Sequence, residues 1–253
     1  RKMVEIAKHR AQVKSSFEWV FSRQGYPLDK MKLELKQVQR ELFANSINQE
    51  ERKAAILGYH LHQNKAYNHF VGNAAADHWN ALPPITKKQF QRGYEYWLSH
   101  GYSKKNIFVG STSGSSGIPL KFAKDKEAHA LTWALIEQRY RLVGIDVFRD
   151  LEARFYGIPI TPYSKYLKER TKDFIARRLR FPVFNLADDM LERYYWRFSK
   201  KPFVYLNGYT NSLLALGEYI LRKDHERLNV ICPSLKACIT TAEMCAPEDR
   251  EIM

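Results

Sequence analysis

The apolar rhythm of the chain changes near residue 105. Before that point apolar residues recur at helical spacing. Val4, Ile6, Val13, Phe17, Val20 and Phe21 form a loose stripe that ends at the turn Gly25-Tyr26-Pro27. A second helical run starts near Met31 and continues to about Phe43. A third begins near Asn48, with Asn48 or Ser46 as its cap, and carries Ile56, Leu57, His60, Leu61 and Tyr67. Leu82-Pro83-Pro84 breaks the pattern, and Thr86 caps a short helix over residues 87–98.

Beyond residue 105 short apolar runs alternate with amphipathic stretches. Residues 106–110 read as a strand, residues 111–119 as a Ser/Gly loop, and residues 120–123 as a second strand. A long amphipathic helix follows from about Glu127 to Leu142. Residues 165–182 are a basic segment, with Lys165, Lys168, Arg170, Lys172, Arg177, Arg178 and Arg180 against Glu169 and Asp173. It reads as a solvated helix face or as a surface for phosphate or membrane. A helix over Asp188–Phe198, a strand over Pro202–Leu206 and a helix over Asn211–Leu221 come next. The pattern repeats with a strand over Leu235–Ile239, a loop from Thr240 to Met244, and a helix opened by Pro247. Strands alternating with helices predict an α/β fold with largely parallel sheets and packed helices, preceded by a helical N-terminal segment. The expected division is a helical region over 1–104 and an α/β nucleotide-binding region over 105–253.

Composition narrows the class. With 253 residues, 45% hydrophobic and 13% aromatic, the chain has the makings of a globular core. No apolar run approaches the roughly 20 residues of a membrane span. The net charge of +14 suits an anionic partner: nucleotide, CoA, nucleic acid or a membrane surface. Cys232, Cys238 and Cys245 include no CxxC pair, which argues against zinc and for buried thiols in a reducing, cytoplasmic setting.

The densest candidate chemistry is Ser111-Thr112-Ser113-Gly114-Ser115-Ser116-Gly117-Ile118-Pro119. Its glycines permit tight turns and close approach to an anion, and its hydroxyls can donate to phosphate oxygens. The spacing is not that of a Walker loop, and the segment leads into a strand instead of a helix. The loops at 207–210 and 240–243 each follow a strand and precede a helix, where an open parallel sheet binds its ligands. No nucleophile–base constellation stands out, and HExxH and GxSxG are both absent, so no catalytic residue is assigned.

Four blocks together resemble the adenylate-forming enzymes, in particular the phenylacetate–CoA ligase and CapK-like capsular polysaccharide branch. Ser113, Gly114, Ser115, Ser116, Gly117 and Pro119 match the signature [ST]SG[ST][ST]Gx-P, although Leu120 stands where many members carry Lys. Residues 82–98 resemble the family's approach to that loop. Residues 205–213, YLNGYTNSL, and 235–243, LKACITTAE, resemble two later blocks in the same order.

The resemblance implies that ATP phosphates sit on Ser113, Gly114, Ser115, Ser116 and Gly117, and adenine against Thr241, Ala242 and Glu243. It places the acyl substrate near Gly208 and Tyr209. The implied reaction is activation of a carboxylic acid by ATP and Mg2+ to an acyl-adenylate, with CoA as the expected acceptor. Alternatives are transfer to a non-CoA acceptor in polysaccharide biosynthesis, or a non-catalytic anion-binding module. No resident metal site and no nucleic-acid partner are expected. The basic segment 165–180 is the candidate for peripheral membrane contact. The family's aromatic-Gly-x-x-Glu block and its C-terminal lid with a catalytic Lys have no counterpart before Met253, so the chain is expected to be incomplete for the full reaction.

Overall fold

The computed structural model describes residues 14–44, 46–72, 79–112, 119–157 and 163–253; the side chains of residues 163–166 and 168 lie outside that description. The helices are α1 (Ser16–Arg23), α2 (Leu28–Phe43), α3 (Gln49–Gln63), α4 (Lys65–Val71) and α5 (Lys87–Phe90). Strands β1 (Ile107–Ser111) and β2 (Lys121–Asp125) follow, then α6 (Lys126–Arg141). The rest runs β3 (Glu152–Phe155), α7 (Tyr163–Ile175), β4 (Arg178–Phe181), α8 (Asp188–Lys200), β5 (Tyr205–Tyr209) and α9 (Thr210–Arg222). It ends with α10 (Leu228–Ile231), β6 (Ala237–Thr241) and α11 (Pro247–Ile252). Two compact units result: Phe21–Leu135, and the residues up to Val20 together with Ile136–Met253. Among the described residues, no helix is long and apolar enough to cross a membrane.

In the first unit, side chains set the helix boundaries. Asn48 caps α3 by accepting from the Glu50 and Glu51 N–H groups. The long helix expected over residues 48–67 is broken at Asn64. That side chain caps α4 through the Tyr67 N–H and donates to the Trp97 carbonyl at 2.7 Å. The helix expected over 87–98 stops after one turn, because Gly93 takes φ +97° and the chain continues as a 3-10 turn. Strands β1 and β2 pair antiparallel from Ile107–Asp125 to Ser111–Lys121. The Thr112 N–H extends the ladder to the Leu120 carbonyl at 2.9 Å. This hairpin frames residues 113–118, which lie outside the described residues, so the positions expected to hold phosphate are not located.

The second unit is a mixed α/β body around a four-stranded parallel sheet in the order β4-β3-β5-β6. One sheet face is apolar. Ala153, Phe155, Phe181 and Leu206 pack against Leu191, Tyr194 and Phe198 of α8 and Leu213 and Leu216 of α9. Phe155 stacks on Phe181 at 4.6 Å, and both are fully buried. Each such ring stabilises the fold by roughly 1.5–3 kcal/mol through removal from water. The other face is polar: Glu152 and Arg154 of β3, Arg178 and Arg180 of β4, and Tyr205 and Asn207 of β5 alternate with the apolar set.

Candidate functional site

The connectivity fixes where this sheet can bind a ligand. From β3 the chain passes through α7 to β4 on one side, then through α8 to β5 on the other side of β3. The winding therefore reverses between β3 and β5. In open α/β sheets the crevice beyond the strand carboxyl ends at such a reversal is the ligand site, because the flanking loops diverge there.

Tyr156 and Tyr209 stand at this edge, with ring centroids 4.8 Å apart. The Tyr156 hydroxyl donates to Asn207 Oδ1 at 3.3 Å, and Asn207 Nδ2 donates to Glu152 Oε1 at 3.1 Å. Burial pushes the Tyr156 phenol up, opposed by the charge of Arg154. Tyr140, whose hydroxyl lies 3.5 Å from Asn207 Nδ2, is pushed to about 12 by burial and by the Glu152 charge. Both hydroxyls therefore stay protonated and serve as neutral hydrogen-bonding groups.

Beneath them lies a charged layer. Glu152 is 3% exposed. Arg154 Nε lies 3.7 Å from one of its oxygens and Arg178 Nε 3.6 Å from the other, while the Tyr205 hydroxyl donates at 3.4 Å. Both guanidinium distances exceed hydrogen-bond reach, and Arg178 Nε has no hydrogen-bond partner. Burial holds the Arg178 guanidinium below its ordinary range, against the pull of Glu152. Arg180 is better matched, with 2.7 Å bonds to Asp173 and Glu169 of α7.

The loops expected to carry function meet at the same edge. Gly208 is the fourth residue of β5 and Tyr209 its last; Thr241 ends β6. Ala242 turns the chain at φ +72°, a conformation that L side chains adopt rarely. That turn brings Glu243 onto the start of α9. Its carboxylate accepts from the Asn211 N–H at 2.7 Å, and its carbonyl accepts from the fully buried Thr210 hydroxyl at 3.1 Å. Glu243 thus satisfies an orphan N–H at the positive end of a 13-residue helix. Thr241, Ala242, Glu243, Gly208 and Tyr209 are therefore gathered along one crevice edge.

Sequence reading missed Glu152, Arg154 and Tyr156. The available signal was the apolar alternation Ala153–Phe155, hidden by the charged residues Glu152 and Arg154 interleaved with it.

No known protein family matches the chain, and no curated protein matches it. Similar solved structures include 2-hydroxyisobutyryl-CoA ligase in an open conformation in complex with 2-HIB-AMP and CoA. It is 17% identical with a TM-score of 0.46, over 81% of this chain and 51% of that one. The same ligase in the thioesterification state is 18% identical with a TM-score of 0.49, over 81% of this chain and 46% of that one. In the postadenylation state with R3-HIB-AMP it is 18% identical with a TM-score of 0.48, over 81% and 47%. The chain thus spans 46–51% of the length of these structures.

Proposed function

We propose that this chain is the nucleotide- and acid-binding part of an adenylate-forming ligase of the phenylacetate–CoA ligase and CapK-like kind. The observation that carries the reading is a coincidence of sequence and topology. The blocks YLNGYTNSL and LKACITTAE, which resemble that family, run through the carboxyl ends of the neighbouring strands β5 and β6, and Glu243 ties one to the other at 2.7 Å.

In this reading a carboxylate attacks the α-phosphate of MgATP, forming an acyl–phosphate bond and releasing pyrophosphate. The substrate acid is already ionised at neutral pH, so no general base is required. The chain's task is to position the acid and nucleotide and to stabilise phosphate charge. Mg2+ arrives with ATP as part of the substrate. Thr241, Ala242 and Glu243 are assigned the adenine, Gly208 and Tyr209 the acyl group, and Ser113–Gly117 the phosphates. The acyl group then passes to a thiol, with CoA the expected acceptor; transfer that proceeds without CoA would select the non-CoA alternative.

Replacing Ser115 and Ser116 together by Ala tests the phosphate assignment. MgATP affinity should fall at least tenfold, because a hydrogen bond to a charged group contributes about 1.5–3 kcal/mol. Unchanged affinity by calorimetry would remove the loop from the nucleotide site.

A further inference from the structure

We propose that the acid activated here carries a second carboxylate, and that Arg154 receives it. The inference rests on the acyl-adenylation reading and deepens it to a substrate class.

Arg154 lies on the polar sheet face, one pleat below the edge where Tyr156 and Tyr209 meet. A substrate whose reacting carboxylate occupies the crevice mouth would direct its far end toward this layer. The charge there is unbalanced. Among the described residues, Glu152 is the one carboxylate within 4.0 Å of Arg154 or Arg178, so a single buried anion is shared by two guanidinium groups. At 3.7 Å its oxygen does not hydrogen-bond to Arg154 Nε. The Tyr156 ring supports the Arg154 guanidinium at 4.6 Å, and the side chain remains 24% exposed. A supported, reachable guanidinium suits two-point binding of a planar carboxylate.

The neighbouring groups agree. Tyr156 and Asn207 present a hydroxyl and an amide where a fatty or phenyl tail would need apolar walls. Such a tail would strip water from the guanidinium and return no hydrogen bond. A second carboxylate would instead restore charge balance in the layer.

The test compares pyrophosphate release from MgATP by the full-length protein with dicarboxylic, fatty and aryl acids, for wild type, Arg154→Lys and Arg154→Met. Circular dichroism and melting establish that each variant is folded. Dicarboxylic acids should be preferred. Arg154→Met should raise their KM roughly 10- to 100-fold with the KM for ATP unchanged, and Arg154→Lys should recover part of the loss. Preference for monocarboxylic acids would overturn the inference and leave adenylation standing. A folded Arg154→Met protein with an unchanged KM for dicarboxylates would also overturn it, assigning Arg154 to the structural layer alone. Wild-type protein that releases no pyrophosphate with any acid would overturn the adenylation reading, and this inference with it.

Discussion

Glu243 caps a helix in the structure and is assigned to the adenine in the proposed reading, and the two roles separate by experiment. Its carboxylate caps α9 through Asn211, so Glu243→Ala should lower stability by about 0.5–2 kcal/mol, read as a fall in melting temperature. If Glu243 also lines the nucleotide site, MgATP affinity measured well below that melting temperature should fall too. Loss of stability with intact affinity would confine the residue to capping. His129 offers a second residue-level test. It stacks on Phe108 at 3.7 Å, and its buried Nδ1 has no partner. Burial, reinforced by Lys124, holds its pKa at about 4 against an ordinary 6.5. Between these values the unfolded chain takes up a proton and the folded chain does not. Its contribution is therefore fully present above pH 6.5 and lost as pH falls toward about 4. The urea midpoint of wild type should drop over that window relative to His129→Phe; parallel profiles would contradict this. At this scale the sequence displayed the caps Asn48 and Thr86, whose signals are local. It did not display Arg154 or Glu152, whose meaning depends on strands distant in the chain.

Helices and loops were easier to read than strands, for a physical reason. The helices over 188–200 and 210–222 carry one apolar stripe each, which periodicity detects. Strands β3 and β4 were not anticipated because their polar face is occupied by Glu152, Arg154, Arg178 and Arg180, which look like a solvated segment. Pairing sets Arg178 of β4 beside Glu152 of β3, and pairing is invisible to local pattern. Strand β5 extends to Tyr209, past the expected end at Leu206, because Asn207 is held in the ladder beside Arg154. Gly208 is required within it: a Cβ there would meet the Phe155 Cβ at 2.5 Å and its carbonyl oxygen at 2.9 Å. Gly208→Ala should therefore cost about 1–3 kcal/mol by overpacking, measured by chemical denaturation. An unperturbed midpoint would show that β3 and β5 separate easily. Glu152→Ala should also lower the midpoint, since it leaves the half-buried Arg154 and Arg178 guanidinium groups without their shared carboxylate.

For the whole chain, alternation of strands and helices announced the α/β class, and the winding of four parallel strands supplies the crevice that the linear order alone could not locate. The +14 net charge fits a site for ATP and an anionic acid, while leaving the identity of the anion to the side chains that meet it. The central claim is acid-dependent activation of ATP, and pyrophosphate release by the full-length protein tests it most directly. Release from MgATP that requires a carboxylic acid, and is lost when Ser115 and Ser116 are both Ala, is the predicted result. Folded protein that releases no pyrophosphate with any acid would contradict the account and favour an anion-binding module instead.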